Sequence, residues 1–226
     1  ITLRRLPLNE YCDMMSVDVD LLCADRDLVY RYVQTVEKAG LEISEISLDS
    51  YAFGKEASLL EKSLEHFIIG LKMERQSSSL SLYAKGKLSS SEVLDLGMHQ
   101  MIAKLSEVAH LPIDVADRLL HYNVRFGLDK YPDTPVYLWS SEGQTHTLSE
   151  KDIFTILKPD LDAWIEKIKI AIAPILEHGN TKMVLYGESA EINGLDQLLS
   201  KLFNIDVESY IPDTLGIRSS ALCSIA

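Results

Sequence analysis

Cysteine is scarce in this chain, with three in 226 residues, at Cys12, Cys23 and Cys223. An odd number without C-x-x-C spacing is read most simply as free, mostly buried thiols in a reducing, cytosolic compartment. Basic charge is also short: 22 Lys and Arg face 34 Asp and Glu, for a net charge of −12. A nucleic-acid binder normally presents a basic face, so this balance argues against nucleic acid as a partner. The acidic surface serves solubility or receives a basic partner segment. No apolar run approaches the ~20 residues that cross a bilayer. Even the most apolar helical stretch, 164–176, is interrupted by Glu166, Lys167 and Lys169. No signal peptide is recognisable. The chain opens on Ile1-Thr2-Leu3-Arg4-Arg5 without an initiator Met, and a fragment is expected. His66, His99, His110, His121, His146 and His178 follow no H-x-x-x-H or H-x-E spacing, so no metal site is expected. No internal repeat is present, and nothing of low complexity beyond Ser77-Ser78-Ser79 and Ser89-Ser90-Ser91.

The remainder is ordinary for a globular protein of one or two domains: 46% apolar and 25% charged. Residues 17–23 alternate and then turn apolar, as a strand entering a core does. An amphipathic helix is expected over 26–40, with Leu28, Tyr32, Val33 and Val36 on one face and Gly40 as its cap. A strand over 41–48 follows, then a connecting helix over 51–63. Strands are expected at 66–73, 77–84 and 93–96, helices at 98–109 and 114–121, and a hairpin pairing 136–140 with 144–148 around Ser141-Glu142-Gly143. Ser149 opens a helical region to about 177, punctuated by Pro159 and Pro174. Its apolar stripe is Leu161, Trp164, Ile165, Ile168 and Ile172, and Asp160, Asp162, Glu166 and Lys167 form its solvated face. Strand 182–186, helix 192–203, strand 205–208 and helix 215–226 complete an α/β pattern.

The densest signal is Val184-Leu185-Tyr186-Gly187-Glu188-Ser189-Ala190-Glu191-Ile192-Asn193-Gly194-Leu195, an apolar strand ending in a glycine turn that leads into a helix. It resembles the second adenosine-binding turn of the actin-like ATPases, the superfamily of actin, the heat-shock chaperones and the bacterial division protein FtsA. That turn reads apolar-apolar-apolar-Thr-Gly-Gly-Gly/Ala-Ala-x-Ile-x-Gly-Leu, so Tyr186 stands for the Thr and Glu188 for the second Gly. Thr35-Val36-Glu37-Lys38-Ala39-Gly40-Leu41 resembles a segment of the FtsA inserted subdomain. Residues 97–120 resemble its G-G-x-x-x-T-x-D-I-A…P-x-x-x-A-E-x-I-K passage. Pro212 and Ser219-Ser220-Ala221-Leu222-Cys223-Ser224 resemble its closing helix.

The resemblance implies an actin-like, ribonuclease H-like α/β domain with a mixed sheet, subdivided and preceded by a small α+β piece. Residues 1–50 would end the inserted subdomain (an SHS2-type strand–helix–strand), and 51–64 would form the connecting helix. Residues 65–92 with 179–226 would form subdomain 2A, and 93–178 subdomain 2B.

The departures from the pattern bear on chemistry. Where active relatives read D-I-G-G-G-T-x-D-I, this chain has Lys72-Met73-Glu74-Arg75-Gln76-Ser77-Ser78-Ser79-Leu80, with no glycine to bring amides to a phosphate. Lys72 replaces the metal-positioning Asp, and its charge suits a phosphate. Glu74 sets negative charge where phosphate should sit, a cost on the order of several kcal/mol in low dielectric. Ala116-Asp117-Arg118-Leu119-Leu120 aligns with A-E-x-I-K, so Asp117 is a shorter acid and Leu120 has lost the Lys. Gly187, Glu188, Ser189 and Asp117 are therefore read as a vestigial nucleotide site. No catalytic residue, no metal and no cofactor is expected. ATP with Mg²⁺ belongs to the alternative reading, an active ATPase. A further alternative is an unrelated α/β protein in which 72–79 is a polar hairpin.

The resemblance implies a division adaptor, free of ATP hydrolysis, that binds the C-terminal tail of an FtsZ-type tubulin-like protein at the septum. Arg118, Asn123 and Arg125, beside the 116–120 helix, are the expected contacts for an acidic tail. Localisation would be cytoplasmic, at the inner face of the membrane or division site. The family's membrane contact is a C-terminal amphipathic helix that this chain does not show. Self-association through two different surfaces would give open filaments, but the missing first half makes it doubtful here. The alternative inside the superfamily is a PilM-type pilus-assembly scaffold. Two other chemistries are weaker. Ser189 follows a strand as in a nucleophile elbow, but Glu191 breaks G-x-S-x-G and no His follows. Glu188 and Glu191 are better placed to favour a helix dipole than to act as an acid–base pair.

Overall fold

The computed structural model describes residues 23–141 and 143–213. It divides into two units, 1–48 and 49–226.

In the first unit, helix α1 (Arg26–Lys38) is started by Asp25, whose carboxylate accepts the Leu28 amide at 2.8 Å. It is ended by Gly40, which takes a φ of +77° that a side chain would disfavour. Residues 41–48, expected as a strand, pair with no strand among the described residues. A strand exists only through its neighbour. The neighbour expected here, 17–23, lies outside the described residues except for Cys23. Cys23 itself is exposed rather than buried, and Cys12 and Cys223 lie outside the described residues.

The second unit begins with α2 (Asp49–Glu56) and α3 (Leu59–Lys62), separated by Ser58 at a φ of +53°, which breaks the single connecting helix expected there. Three antiparallel strands follow, β1 (Phe67–Met73), β2 (Ser78–Ala84) and β3 (Lys87–Leu94). β3 starts six residues before its expected position because Lys85 and Gly86 both adopt positive φ and make a tight turn. The serine run 89–91 is therefore edge strand, with a register shift opposite Leu82 and Tyr83. Next come α4 (Met98–Ala109), α5 (Ile113–Tyr122), and a hairpin of β4 (Pro135–Ser141) with β5 (Gln144–Ser149).

Helix α6 (Glu150–Leu176) runs unbroken for 27 residues through both prolines that were expected to punctuate it. Ser149 and Asp152 cap it reciprocally. Its stripe of Ile153, Leu157, Leu161, Trp164, Ile165, Ile168 and Ile172 is buried, and this burial holds the helix together across Pro159 and Pro174. After β6 (Thr181–Tyr186) comes a short 3-10 turn (Gly187–Glu191), so the following helix, α7 (Leu195–Phe203), begins later than expected. β7 (Asp206–Ser209) is the last described element. The expected helix 215–226 lies outside the described residues.

The sheet order is β3-β2-β1-β6-β7, with β6 and β7 parallel to β1. Alternation sorts its two faces. Ile69, Leu71, Met73, Met183 and Leu185 enter the large core shared with α4, α5, α6 and α7. Ile68, Val184 and Tyr186 enter a smaller core with Phe53, Ala57 and Leu59 of the connecting helices. A lysine at position 72 of a central strand must therefore emerge on the connecting-helix side.

Candidate functional site

Lys72 and Tyr186 are register partners on β1 and β6, at the ends of adjacent parallel strands. The Lys72 ammonium lies 5.9 Å from the centre of the Tyr186 ring. It is 2.7 Å from a Glu74 carboxylate oxygen and 3.2 Å from Asp49 at the start of α2. Only 8% of the Lys72 side chain is exposed, whereas both acids reach solvent. Burial alone would lower its pKa; the hydrogen bond it donates to Glu74 and the attraction of Asp49 and Glu74 outweigh that and raise it above the ordinary 10.5. Glu74, expected to place negative charge in the cleft, is thus paired with the Lys72 ammonium, which it shares with Asp49.

Beside this pair lies a cavity of about 290 Å³ lined by Lys72, Glu74, Arg75, Gln76, Ser77 and Glu188. Gly187 has a φ of +69°, and a Cβ there would come within 2.9 Å of the Lys72 stem. The glycine admits a lysine side chain to the turn. Glu188 lines the cavity and is half-buried. Ser189 is fully buried: its hydroxyl donates to the Tyr186 carbonyl at 2.7 Å and accepts the Met73 amide at 3.2 Å. It ties β1 to the turn and has none of the exposure of a nucleophile. Tyr186, at the position of the family's Thr, is buried and stacks on Phe53.

The loop between β1 and β2 is held against α4. The Met98 amide donates to the Glu74 carbonyl at 2.9 Å and the His99 amide to the Arg75 carbonyl at 2.8 Å. These are amides of the first helical turn, which have no partner inside the helix. Gly97 permits the approach, since a Cβ there would lie 2.4 Å from the Glu74 carbonyl oxygen. Asp117 of α5 reaches this region through an ion pair with Arg75, and its other carboxylate oxygen is 3.2 Å from His121 Nδ1. Gly187 and Glu188 are thus brought together with Lys72 and Glu74, Asp117 joins through Arg75, and Ser189 stands behind them. Asp49 and Gly97 were not singled out from sequence. Asp49 precedes a helix as many surface acids do, and only the folded chain shows what Gly97 meets.

Of the three expected tail contacts, Arg118 is exposed and pairs with Asp114 one turn away at 3.5 Å. Arg125 lies beyond α5; its amide donates to Glu150 at 2.8 Å and its guanidinium to Gln197 at 3.4 Å. Asn123 is the half-buried cap of α5. No helix among the described residues is long and apolar enough to cross a membrane.

No family model matches the chain. Among curated proteins it is similar to the cell division protein FtsA of Staphylococcus epidermidis, at 22% identity over 225 residues, covering 94% of this chain and 47% of that protein. It is similar to FtsA of Agrobacterium fabrum at 23% identity over 208 residues, covering 88% and 46%. The chain spans about half the length of the curated relatives it matches. Among solved structures it is similar to MreB 5 of Spiroplasma citri bound to AMPPNP, with a TM-score of 0.70 and 11% identity over 89% of this chain and 63% of the other. It also matches a PilM-PilN type IV pilus biogenesis complex, with a TM-score of 0.65 and 14% identity over 87% and 55%. The fold is actin-like, with a mixed α/β sheet.

Proposed function

We propose that this chain is part of an FtsA-like adaptor that works by binding a partner peptide and has lost ATP hydrolysis. One observation carries the reading: Lys72, where active relatives keep a metal-positioning acid, is buried and bound to Asp49 and Glu74, with Gly187 against its stem. A lysine already held by two carboxylates at the cleft floor is not a free cation for a triphosphate, and the acids beside it repel one. Gly187, Glu188, Ser189 and Asp117 then persist as packing residues of a former nucleotide site. The partner is the C-terminal tail of an FtsZ-type protein, met by Arg118, Asn123 and Arg125 within residues 93–178. The exposed Arg118 can exchange Asp114 for an acid of the tail at little cost, since surface ion pairs are worth about 0–1 kcal/mol. The protein acts in the cytoplasm at the division site and reaches the membrane indirectly. The fold likeness to the PilM-PilN complex supports a second reading, a pilus-type scaffold whose partner is a PilN-like segment.

The test is a fluorescence anisotropy titration of a labelled C-terminal tail of the host's FtsZ-like protein with this chain. Saturable binding that weakens with Arg118→Ala or Arg125→Ala is the expected outcome. Absence of binding up to about 1 mM, weaker than about −4 kcal/mol, rejects the division reading and favours the pilus-type partner.

A further inference from the structure

We propose that the β1–β2 turn is a latch that fastens the sheet to the α4–α5 helix pair using only the chain's own groups. The turn closes on itself through the Glu74 amide and the Ser77 carbonyl, 2.8 Å apart. Its two outer carbonyls, of Glu74 and Arg75, take the first free amides of α4, at Met98 and His99. Its two charged side chains are the handles. Glu74 is drawn back to Lys72 on the sheet, and Arg75 reaches across to Asp117 on α5. Gly97 lets the carbonyls seat, because a Cβ there would fall 2.4, 2.5 and 2.6 Å from the Glu74 carbonyl oxygen, the Arg75 carbonyl oxygen and the Ser77 nitrogen. Sheet, turn, α4 and α5 are therefore joined by contacts that share one four-residue segment.

The handles and the catch differ in accessibility. The side chains of Glu74 and Arg75 are 50% and 55% exposed and line the open cavity, whereas Lys72 is 8% exposed and Asp117 21% exposed. A partner can thus reach the handles from solvent, whereas the Lys72 side of the catch is buried. Releasing Arg75 from Asp117 removes the only ionic tie from this turn to α5 among the described residues, and it frees the turn to lift from α4. Local opening of this kind occurs at energies below global unfolding. The latch is independent of which partner the protein serves, so the tail titration above and the test below fail separately.

The test is residue-resolved hydrogen exchange on the 226-residue chain and on Arg75→Ala and Lys72→Met. The expected result is that Arg75→Ala speeds exchange at the Met98 and His99 amides by about tenfold or more, while Met183 and Leu185 in β6 exchange as before. Lys72→Met keeps the stem against Gly187 and should give the same pattern more weakly. Should Lys72→Met not fold, Arg75→Ala, altered at a half-exposed side chain, decides alone. Unchanged exchange at Met98 and His99 in the folded variants overturns the latch, as does an acceleration shared equally with β6, which would mean global destabilisation.

Discussion

Tyr186 lies flat on Phe53, with ring centroids 3.7 Å apart and planes within 6°. The pair joins the end of the parallel strand β6 to the connecting helix α2, and both residues are fully buried. Tyr210 packs edge-on against Phe53 at 5.4 Å and finishes the small core. Tyr186→Thr removes the ring from this core. It should cost about 3–5 kcal/mol, as for other buried aromatic truncations. Urea unfolding measures it, and a double-mutant cycle with Phe53→Leu should return a coupling of about 0.5–1.5 kcal/mol. A coupling of zero would mean the stack is incidental.

Two glycines should respond differently to the same change. Gly179→Ala introduces a side chain at a φ of +64° with nothing within 4 Å, so only backbone strain is added, about 1–2 kcal/mol. Gly97→Ala adds no such strain, since its φ is −135°, but drives a methyl into the β1–β2 turn. It should cost about 3 kcal/mol or more. Amide NMR shifts at Glu74–Ser77 should move in Gly97→Ala and stay in place in Gly179→Ala.

The start of α6 supplies a pH-dependent element. The Ser149 hydroxyl donates to Asp152 at 2.6 Å, and the Ser149 amide donates to the same carboxylate oxygen at 2.9 Å. These bonds, the hydroxyl first, hold the Asp152 carboxyl below its ordinary 3.8. A depressed carboxyl contributes stability that is present above 3.8 and lost as pH falls through the folded value. Ser149→Ala should cost about 1 kcal/mol at pH 7 and less in acid. Its Asp152 should titrate closer to 3.8 by carboxyl-detected NMR, without reaching it while the backbone amide still donates.

Much of the architecture was written in hydrophobic period. The alternation of β1 and β2, the stripe of α6 and the strand–glycine–helix junction at Gly187 are local patterns, and burial of apolar surface makes local pattern and fold agree. Errors fell where the deciding force was not local. Pro159 and Pro174 were expected to punctuate the helical region 149–177, yet the buried stripe of α6 carries one helix through them. The start of β3 was hidden because the turn at Lys85-Gly86 lies next to a polar run with no period.

The cleft divides in the same way. From Lys72, Glu74 and Glu188 the sequence alone determined which charges stand at the ends of β1 and β6, because residue type sets charge. It could not determine where the charges go. Lys72 finds Asp49, 23 residues earlier, only because the face of β1 that carries Ile68 and Lys72 is the one the connecting helices pack on. Asp117 finds Arg75 only because α5 packs beside the turn. Ion-pair partners and the contacts a missing Cβ permits depend on distances across the chain, which only the tertiary structure decides.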